Sequence, residues 1–259
     1  MLPSFEIGPF TIYTYGLMMS LGFVLILLGA RKMAPSIGIS PDKALDLALF
    51  AILGGLIGSY INYVISYDWA RVAANPISFF FFWEGGLVFL GGLLGGIGFA
   101  LLFIWWHKMP LWEISDLAAV FIPLGYAIGR IGCFMAGCCH GIGTSLPWGC
   151  EFPGTAGPVH PTQLYSALLG FSLVAFALLF RKHRSFAGQS FLFYMFIYGI
   201  GRSLIEMLRI NPTVIGGLTV AQFTGLGLVV AAVVLYPVLR RRNRLDNDDQ
   251  AGNEPEEVE

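Results

Sequence analysis

The sequence predicts an all-α integral membrane protein, a bundle of seven transmembrane helices with the N-terminus outside and the C-terminus in the cytoplasm. Three observations predict it. Of the 259 residues, 56% are hydrophobic and only 12% are charged, against about 25% charged in a soluble domain. Mean hydropathy is +0.72. Seven stretches also approach the ~20 apolar residues that a helix needs to cross the hydrocarbon core. So few charges cannot cover the outside of a soluble fold. A soluble enzyme, a disordered chain and a disulfide-stapled secreted module are therefore excluded. The net charge of −1 says nothing about partners, because its two signs are segregated along the chain, and the sequence carries no basic footprint for nucleic acid.

The spans fall at 12–30, 44–66, 84–106, 114–136, 162–180, 186–206 and 219–239. Each is a long apolar run, and within lipid such a run satisfies its backbone as a helix rather than as a barrel strand. The first span has no basic leader, since its first basic residue is Arg31, and it is expected to be retained. Glycines recur in the second and third spans (Gly54, Gly55, Gly58; Gly91, Gly92, Gly95, Gly96), which suits close helix packing. Residues 1–239 form one transmembrane domain. Residues 240–259 change from basic to acidic and form a charged cytoplasmic tail, expected to be disordered.

Lysines and arginines set the orientation, because cytoplasmic loops carry the excess of them. Of the 15, Arg31, Lys32, Lys43, Lys108, Arg181, Lys182, Arg184, Arg240, Arg241, Arg242 and Arg244 flank one face, while Arg71 and Arg209 flank the other. Arg130 and Arg202 lie inside the fourth and sixth spans.

A charge at membrane depth costs about 3 kcal/mol or more, so each needs a partner, a water cavity or a task. Arg130 sits between Gly129 and Gly132, which let a headgroup or a helix approach. A guanidinium there is suited to holding phosphate bidentately, or to a structural pair with Glu84, Glu151 or Glu206. Arg202 and Glu206 share a helical face at i,i+4, as an ion pair or with Arg202 turned to substrate and Glu206 orienting it. Arg209 is expected at the outer interface.

The loop after the fourth span gathers Cys133, Cys138, Cys139, His140, Cys150 and His160 on the outer side. Three readings stand open. Disulfides can form there, with Cys150 joined to one of the upstream three. A metal can bind, although adjacent cysteines do not match a familiar zinc spacing. One thiolate beside Arg130 or His140 can be a nucleophile. His160 opens the fifth span, where Pro161 suits the first helical position and Thr162 and Gln163 suit the open N–H groups of that end. His107 and His183 lie among cytoplasmic basic residues and read as solvated. Tyr15, Trp83 and Trp148 also fit an interfacial aromatic belt.

At these residues the sequence resembles the prolipoprotein diacylglyceryl transferase family. The similarity runs through Tyr15-Gly-Leu-Met, the segment from Trp83 to Gly96, the run from Gly129 to Gly141, Leu146-Pro-Trp-Gly, the His160-Pro-Thr-Gln-Leu-Tyr motif, and Tyr198 to Arg209. The chain departs from the family pattern at several places. Cys133 and Ala136 replace asparagines, and Cys138 replaces a glutamate. Leu90 stands for a histidine, Tyr60 for an arginine that often follows the glycines of helix two, and Ser166 for a glutamate.

The resemblance implies a bacterial inner-membrane enzyme, multi-pass, with its site facing the outer leaflet and periplasm. It implies transfer of the diacylglyceryl group of phosphatidylglycerol to the lipobox cysteine of prolipoproteins, forming a thioether. The partners are then phosphatidylglycerol, prolipoprotein signal peptides and membrane lipids. No cofactor and no metal are implied. Arg130, Tyr15, Gly141 and Glu206 are expected to bind the phospholipid, and His140, His160, Arg202 and Tyr198 to serve catalysis. His140 is the first candidate for the base and His160 the second. A second reading is a divergent relative that binds phospholipid but performs other thiol or metal chemistry at its Cys/His cluster. A channel or transporter ranks last, since the polar residues gather towards one end of a few spans.

Overall fold

The computed structural model describes residues 3–8, 10–81, 86 and 88–252. Trp83 and Glu84, and the end of the tail, lie outside the described residues. Among the described residues the chain is all-α apart from two small hairpins and isolated bridges. Strands β1 (Ser4–Ile7) and β2 (Phe10–Tyr13) pair antiparallel. Then come α1 (Thr14–Met33), α2 (Pro41–Tyr63), a short α3 (Trp69–Ala74) and α4 (Phe89–Trp106). α5 (Leu111–Ala136), α6 (Thr162–Phe180) and α7 (Gln189–Glu206) follow. β3 (Thr213–Ile215) and β4 (Leu218–Thr219) form the second hairpin, before α8 (Val220–Gly252).

Among the described residues, six helical segments are long and apolar enough to cross a membrane: Thr14–Ile37, Pro41–Ala74, Phe89–Trp106, Leu111–Ala136, Thr162–His183 and Val220–Leu245. α7 is not among them. It has the length, but Gln189, Ser190, Arg202 and Glu206 dilute its apolar character. The first span starts later than expected, because residues 10–13 are already paired in β2. α8 continues beyond 239, where the last span was expected to end, to Gly252. Nothing between Pro237 and Gly252 breaks a helix, and arginine is a good helix former.

The chain divides into two compact units, Leu27–Leu111 and Met1–Ile26 with Trp112–Glu259. In the first, α2 and α4 pack backbone to backbone through glycines. A Cβ on Gly58 would collide with the Gly91 carbonyl, and one on Gly95 with the Gly54 carbonyl. This is the close packing that the glycine pattern predicts. Tyr60 is buried there, its hydroxyl donating to the Phe79 carbonyl at 2.7 Å, while Leu90 is exposed.

In the second unit, α7 starts on a carboxylate supplied by α5. Asp116, 6% exposed, accepts from the Gly188 and Phe191 N–H groups at 2.9 and 3.0 Å and from Arg184 at 2.8 Å. A negative group suits the unsatisfied N–H groups of a helix start. Arg184 also meets Glu113 at 2.6 Å. These contacts fix one end of α7, whose other end carries Arg202 and Glu206.

Candidate active site

The site begins with helical spacing. Tyr126 and Arg130 are one turn apart on α5, and Tyr194, Tyr198, Arg202 and Glu206 rise in successive turns along one stripe of α7. The Arg130 guanidinium lies 5.0 Å from the Tyr126 ring centroid, a cation–π arrangement. Tyr126 meets Tyr198 edge to face at 5.5 Å, and Tyr198 stacks on Tyr194 at 5.6 Å. Arg130 and Arg202 both lie within electrostatic reach of Tyr198. Two guanidiniums therefore flank one set of aromatic rings. Tyr126 and Tyr194 escaped the sequence reading, although their i,i+4 spacing to Arg130 and Tyr198 was the available signal.

The two arginines differ in their partners. Arg202 donates to Glu206 at 2.6 Å, and Asn211 donates to the other Glu206 oxygen at 2.6 Å. Arg130 has no ion pair among the described residues. Of its expected structural partners, Glu206 is committed to Arg202, Glu151 is exposed, and Glu84 lies outside the described residues.

Tyr15 joins the site from α1, its ring 3.3 Å from where a Cβ on Gly132 would stand. It lies within electrostatic reach of Arg130 and of Cys133, Cys138 and Cys139.

The cysteines are brought together by the end of α5. Gly137, with φ 75°, turns the chain back. The Cys138 N–H then reaches the Cys133 carbonyl and the Gly137 N–H the Phe134 carbonyl, each at 3.1 Å, which is a Schellman cap. Cys139 follows in the left-handed region at φ 65°. The start of α6 grips this turn. Thr162 Oγ1 donates to the Cys139 carbonyl at 2.9 Å, and Gln163 Nε2 to the Cys138 carbonyl at 2.6 Å. Both side chains suit the open N–H groups of their own helix end, but the cysteine turn takes them instead.

The sulfurs of Cys133, Cys138 and Cys139 lie within 4.8 Å of one another, and all four cysteines are free thiols. Cys150 is outside this group, in a bridge with Val159. That corrects the expected pairing of Cys150 with an upstream cysteine: the loop carries it away from the α5 end. Hydrogen bonds from Cys133 and Cys138, with the Arg209 and Arg130 guanidiniums, lower the Cys139 thiol to about 5 against the opposing effect of burial. Burial and the neighbouring Cys139 charge push Cys138 up. Arg209 is thus drawn into the site, and its Nε is buried without a hydrogen-bond partner. Its place near the chain's outer turn had suggested an interfacial role only.

His140 stacks on Phe152 with centroids 5.3 Å apart and lines a cavity of about 470 Å³ with Gly141, Thr155, Val159 and Ile210. His160 lies 3.2 Å from the Tyr165 hydroxyl through Nδ1, and that hydroxyl accepts from Trp148 at 2.8 Å. The relay fixes the ring. Gly141 has a packing reason: a Cβ there would collide with the Leu208 carbonyl.

Two guanidiniums and several tyrosines beside a group of three thiols, in a protein with membrane-length apolar helices, make a site chemically suited to an enzyme that handles an anionic lipid. Comparison with known proteins narrows the class. The family profile for prolipoprotein diacylglyceryl transferase matches residues 3–238, and the chain belongs to that family. It is 36% identical over 241 residues to a phosphatidylglycerol–prolipoprotein diacylglyceryl transferase of Clostridioides difficile, covering 93% of this chain and 96% of the relative. The enzyme of that name from Bordetella bronchiseptica is 37% identical over 243 residues, covering 89% and 92%. Clostridium perfringens has a phosphatidylglycerol–prolipoprotein diacylglyceryl transferase 2 that is 32% identical over 252 residues, covering 95% and 98%.

Proposed function

We propose that this chain moves the diacylglyceryl group of phosphatidylglycerol onto the cysteine thiol of a prolipoprotein, with Arg130 holding the phosphodiester. The chain is a multi-pass membrane transferase of lipoprotein biosynthesis by family. The observation that carries the Arg130 assignment is its pairing: among the described residues, it alone of the two intramembrane arginines lacks a carboxylate. An anionic phosphodiester completes it, and a bidentate guanidinium–phosphate pair is strong where water is scarce.

The reaction displaces glycerol-1-phosphate from a glyceryl carbon. Negative charge grows on the departing phosphate oxygen, and a guanidinium already in position stabilises it. Arg202, held by Glu206, supports that charge or the incoming peptide. The Tyr15 and Tyr198 hydroxyls hydrogen-bond the headgroup. The attacking thiol, with a free value of about 8.5, must lose its proton. His140, which lines the loop cavity, accepts or relays it, with His160 the second candidate and Gly141 shaping the approach. The seventh span is α7, whose polar stripe is the cost of carrying the site. With the basic residues inside, the N-terminus lies outside, the C-terminus in the cytoplasm, and the site opens to the outer leaflet of a bacterial inner membrane.

The test uses full-length protein in bilayers containing phosphatidylglycerol or only phosphatidylethanolamine, with a lipobox peptide. A diacylglyceryl thioether, read by mass spectrometry, is expected with phosphatidylglycerol alone. No product with either lipid overturns the reading.

A further inference from the structure

The three-sulfur group has a shape that suits more than packing. Cys133, Cys138 and Cys139 present sulfurs within 4.8 Å of one another. In a tetrahedral zinc site, with Zn–S near 2.3 Å, sulfurs stand about 3.8 Å apart. Closing the remaining ångström is a matter of side-chain rotation. The turn that carries them is held from three directions: by the Schellman cap at Gly137, by Thr162 and by Gln163. The left-handed φ of Cys139, a residue with a Cβ, has a cost of about 1 kcal/mol or more, and such strain gathers at functional sites. Cys138 and Cys139 are exposed and Cys133 half-buried, so the group opens on one side. Three protein ligands with one open position are the pattern of a catalytic rather than a structural zinc.

We propose that Cys133, Cys138 and Cys139 bind one zinc ion, and that its open position takes the thiol of the prolipoprotein cysteine. This rests on the transferase reading above. Zinc with three thiolates carries a net charge of −1, and Arg130 and Arg209 lie within electrostatic reach of Cys139 to offset it. A thiol that coordinates a metal ion is deprotonated. The proton that the substrate thiol loses on coordination passes to bulk water. The sulfur lone pair then forms the S–C bond to the glyceryl carbon. The C–O bond to phosphorus-bound oxygen breaks, and its electron pair departs on glycerol-1-phosphate, beside Arg130. The product thioether is uncharged, binds zinc weakly and is released, and the zinc keeps its oxidation state.

The experiment strips the full-length protein with a chelator and titrates it with cobalt(II) alone, then with zinc. One cobalt per chain with a sulfur-to-metal charge-transfer band is expected, lost in Cys133→Ser, Cys138→Ser and Cys139→Ser and kept in Cys150→Ser. A lipobox peptide is expected to shift the band, and its Cys→Ser counterpart to leave it unchanged. At pH 7 a free thiol is only about 3% ionised, so stripping is expected to slow thioether formation about 30-fold, with zinc restoring it. No stoichiometric metal overturns the zinc site, and full transfer by the metal-free protein overturns its part in the reaction while upholding the transferase reading. A bound metal that the peptide does not perturb overturns the role of the open position. Metal binding with no thioether from any lipid overturns the transferase reading, and with it the substrate step.

Discussion

Arg202 and Glu206 meet at 2.6 Å one turn apart on α7, and Asn211 occupies the other oxygen of that carboxylate. The consequence falls on a different helix: that carboxylate is taken, and Arg130 on α5 has no ion pair among the described residues, which is the basis for proposing that it holds a substrate anion. Glu206 is 3% exposed. Breaking a buried pair by removing one partner costs about 3–5 kcal/mol. Glu206→Ala is therefore expected to lower unfolding stability by about 3 kcal/mol and to slow transfer, whereas Glu206→Gln, which keeps a hydrogen-bond acceptor, is expected to lose less. Unfolding of the detergent-solubilised protein checks both; equal stability of Glu206→Ala and the parent contradicts the pairing.

The cysteine turn depends on α6. Gln163, 0% exposed, holds the Cys138 carbonyl. Gln163→Ala removes that donor and leaves a carbonyl unsatisfied, which costs about 1–3 kcal/mol. The three sulfurs should then drift apart. Cobalt affinity is expected to fall about tenfold for Gln163→Ala, with Gln163→Glu unable to restore it because a carboxylate cannot donate. Unchanged affinity would show that the turn stands without α6.

Thiol reactivity in the metal-free protein should follow pH in one direction. The Cys139 value is lowered to about 5, so its thiolate is present above that pH and is lost as pH falls through it. Alkylation of Cys139 is expected to be already rapid at pH 7 and to decline with a midpoint of about 5. A rate that rises only above pH 8, as for an ordinary thiol of about 8.5, contradicts the arrangement of Cys133, Cys138, Arg130 and Arg209 around it.

Close packing of α2 on α4 predicts a sharp contrast between glycines. Gly58→Ala puts a methyl group against the Gly91 carbonyl, whereas Gly98 has no atom within 4 Å of a new Cβ. Overpacking costs about 1–3 kcal/mol, and alanine improves an open helical site by up to about 1 kcal/mol. Gly58→Ala is expected to destabilise and Gly98→Ala to be neutral or stabilising. Thermal unfolding of the two variants distinguishes the cases, and similar shifts in both would contradict the glycine contact.

The helices were legible in the sequence because apolar length is a local property. α6 begins and ends where its apolar run does, at 162 and 180. Arg130, Arg202 and Glu206 stood out in the sequence because a charge in an apolar run announces itself, whereas Tyr15 and Tyr198 were singled out only by the family resemblance. Tyr126 and Tyr194 were harder to see, because tyrosine is unremarked in a membrane helix until a guanidinium is found one turn away. The cysteines misled for a different reason. Distance along the chain favoured Cys150 as a partner for the upstream group, but the Schellman turn at Gly137 folds Cys138 and Cys139 back on Cys133, and the loop carries Cys150 elsewhere. Thr162 and Gln163 read as local caps because their long-range acceptors, two carbonyls more than 20 residues away, leave no trace in local spacing. Arg209 was discounted for its position near a span end, and only the folded chain brings it to Cys139.

The claim on which the rest depends is that Arg130 grips the phosphodiester of the lipid. Full-length protein with labelled arginine, reconstituted with phosphatidylglycerol, allows the distance from the Arg130 Cζ to the lipid phosphorus to be measured by solid-state dipolar recoupling. A bidentate pair predicts about 4 Å, with the signal abolished in Arg130→Ala and transfer reduced about 100-fold or more. A guanidinium with no lipid phosphorus in reach, in a protein that still forms the thioether at full rate, would contradict it.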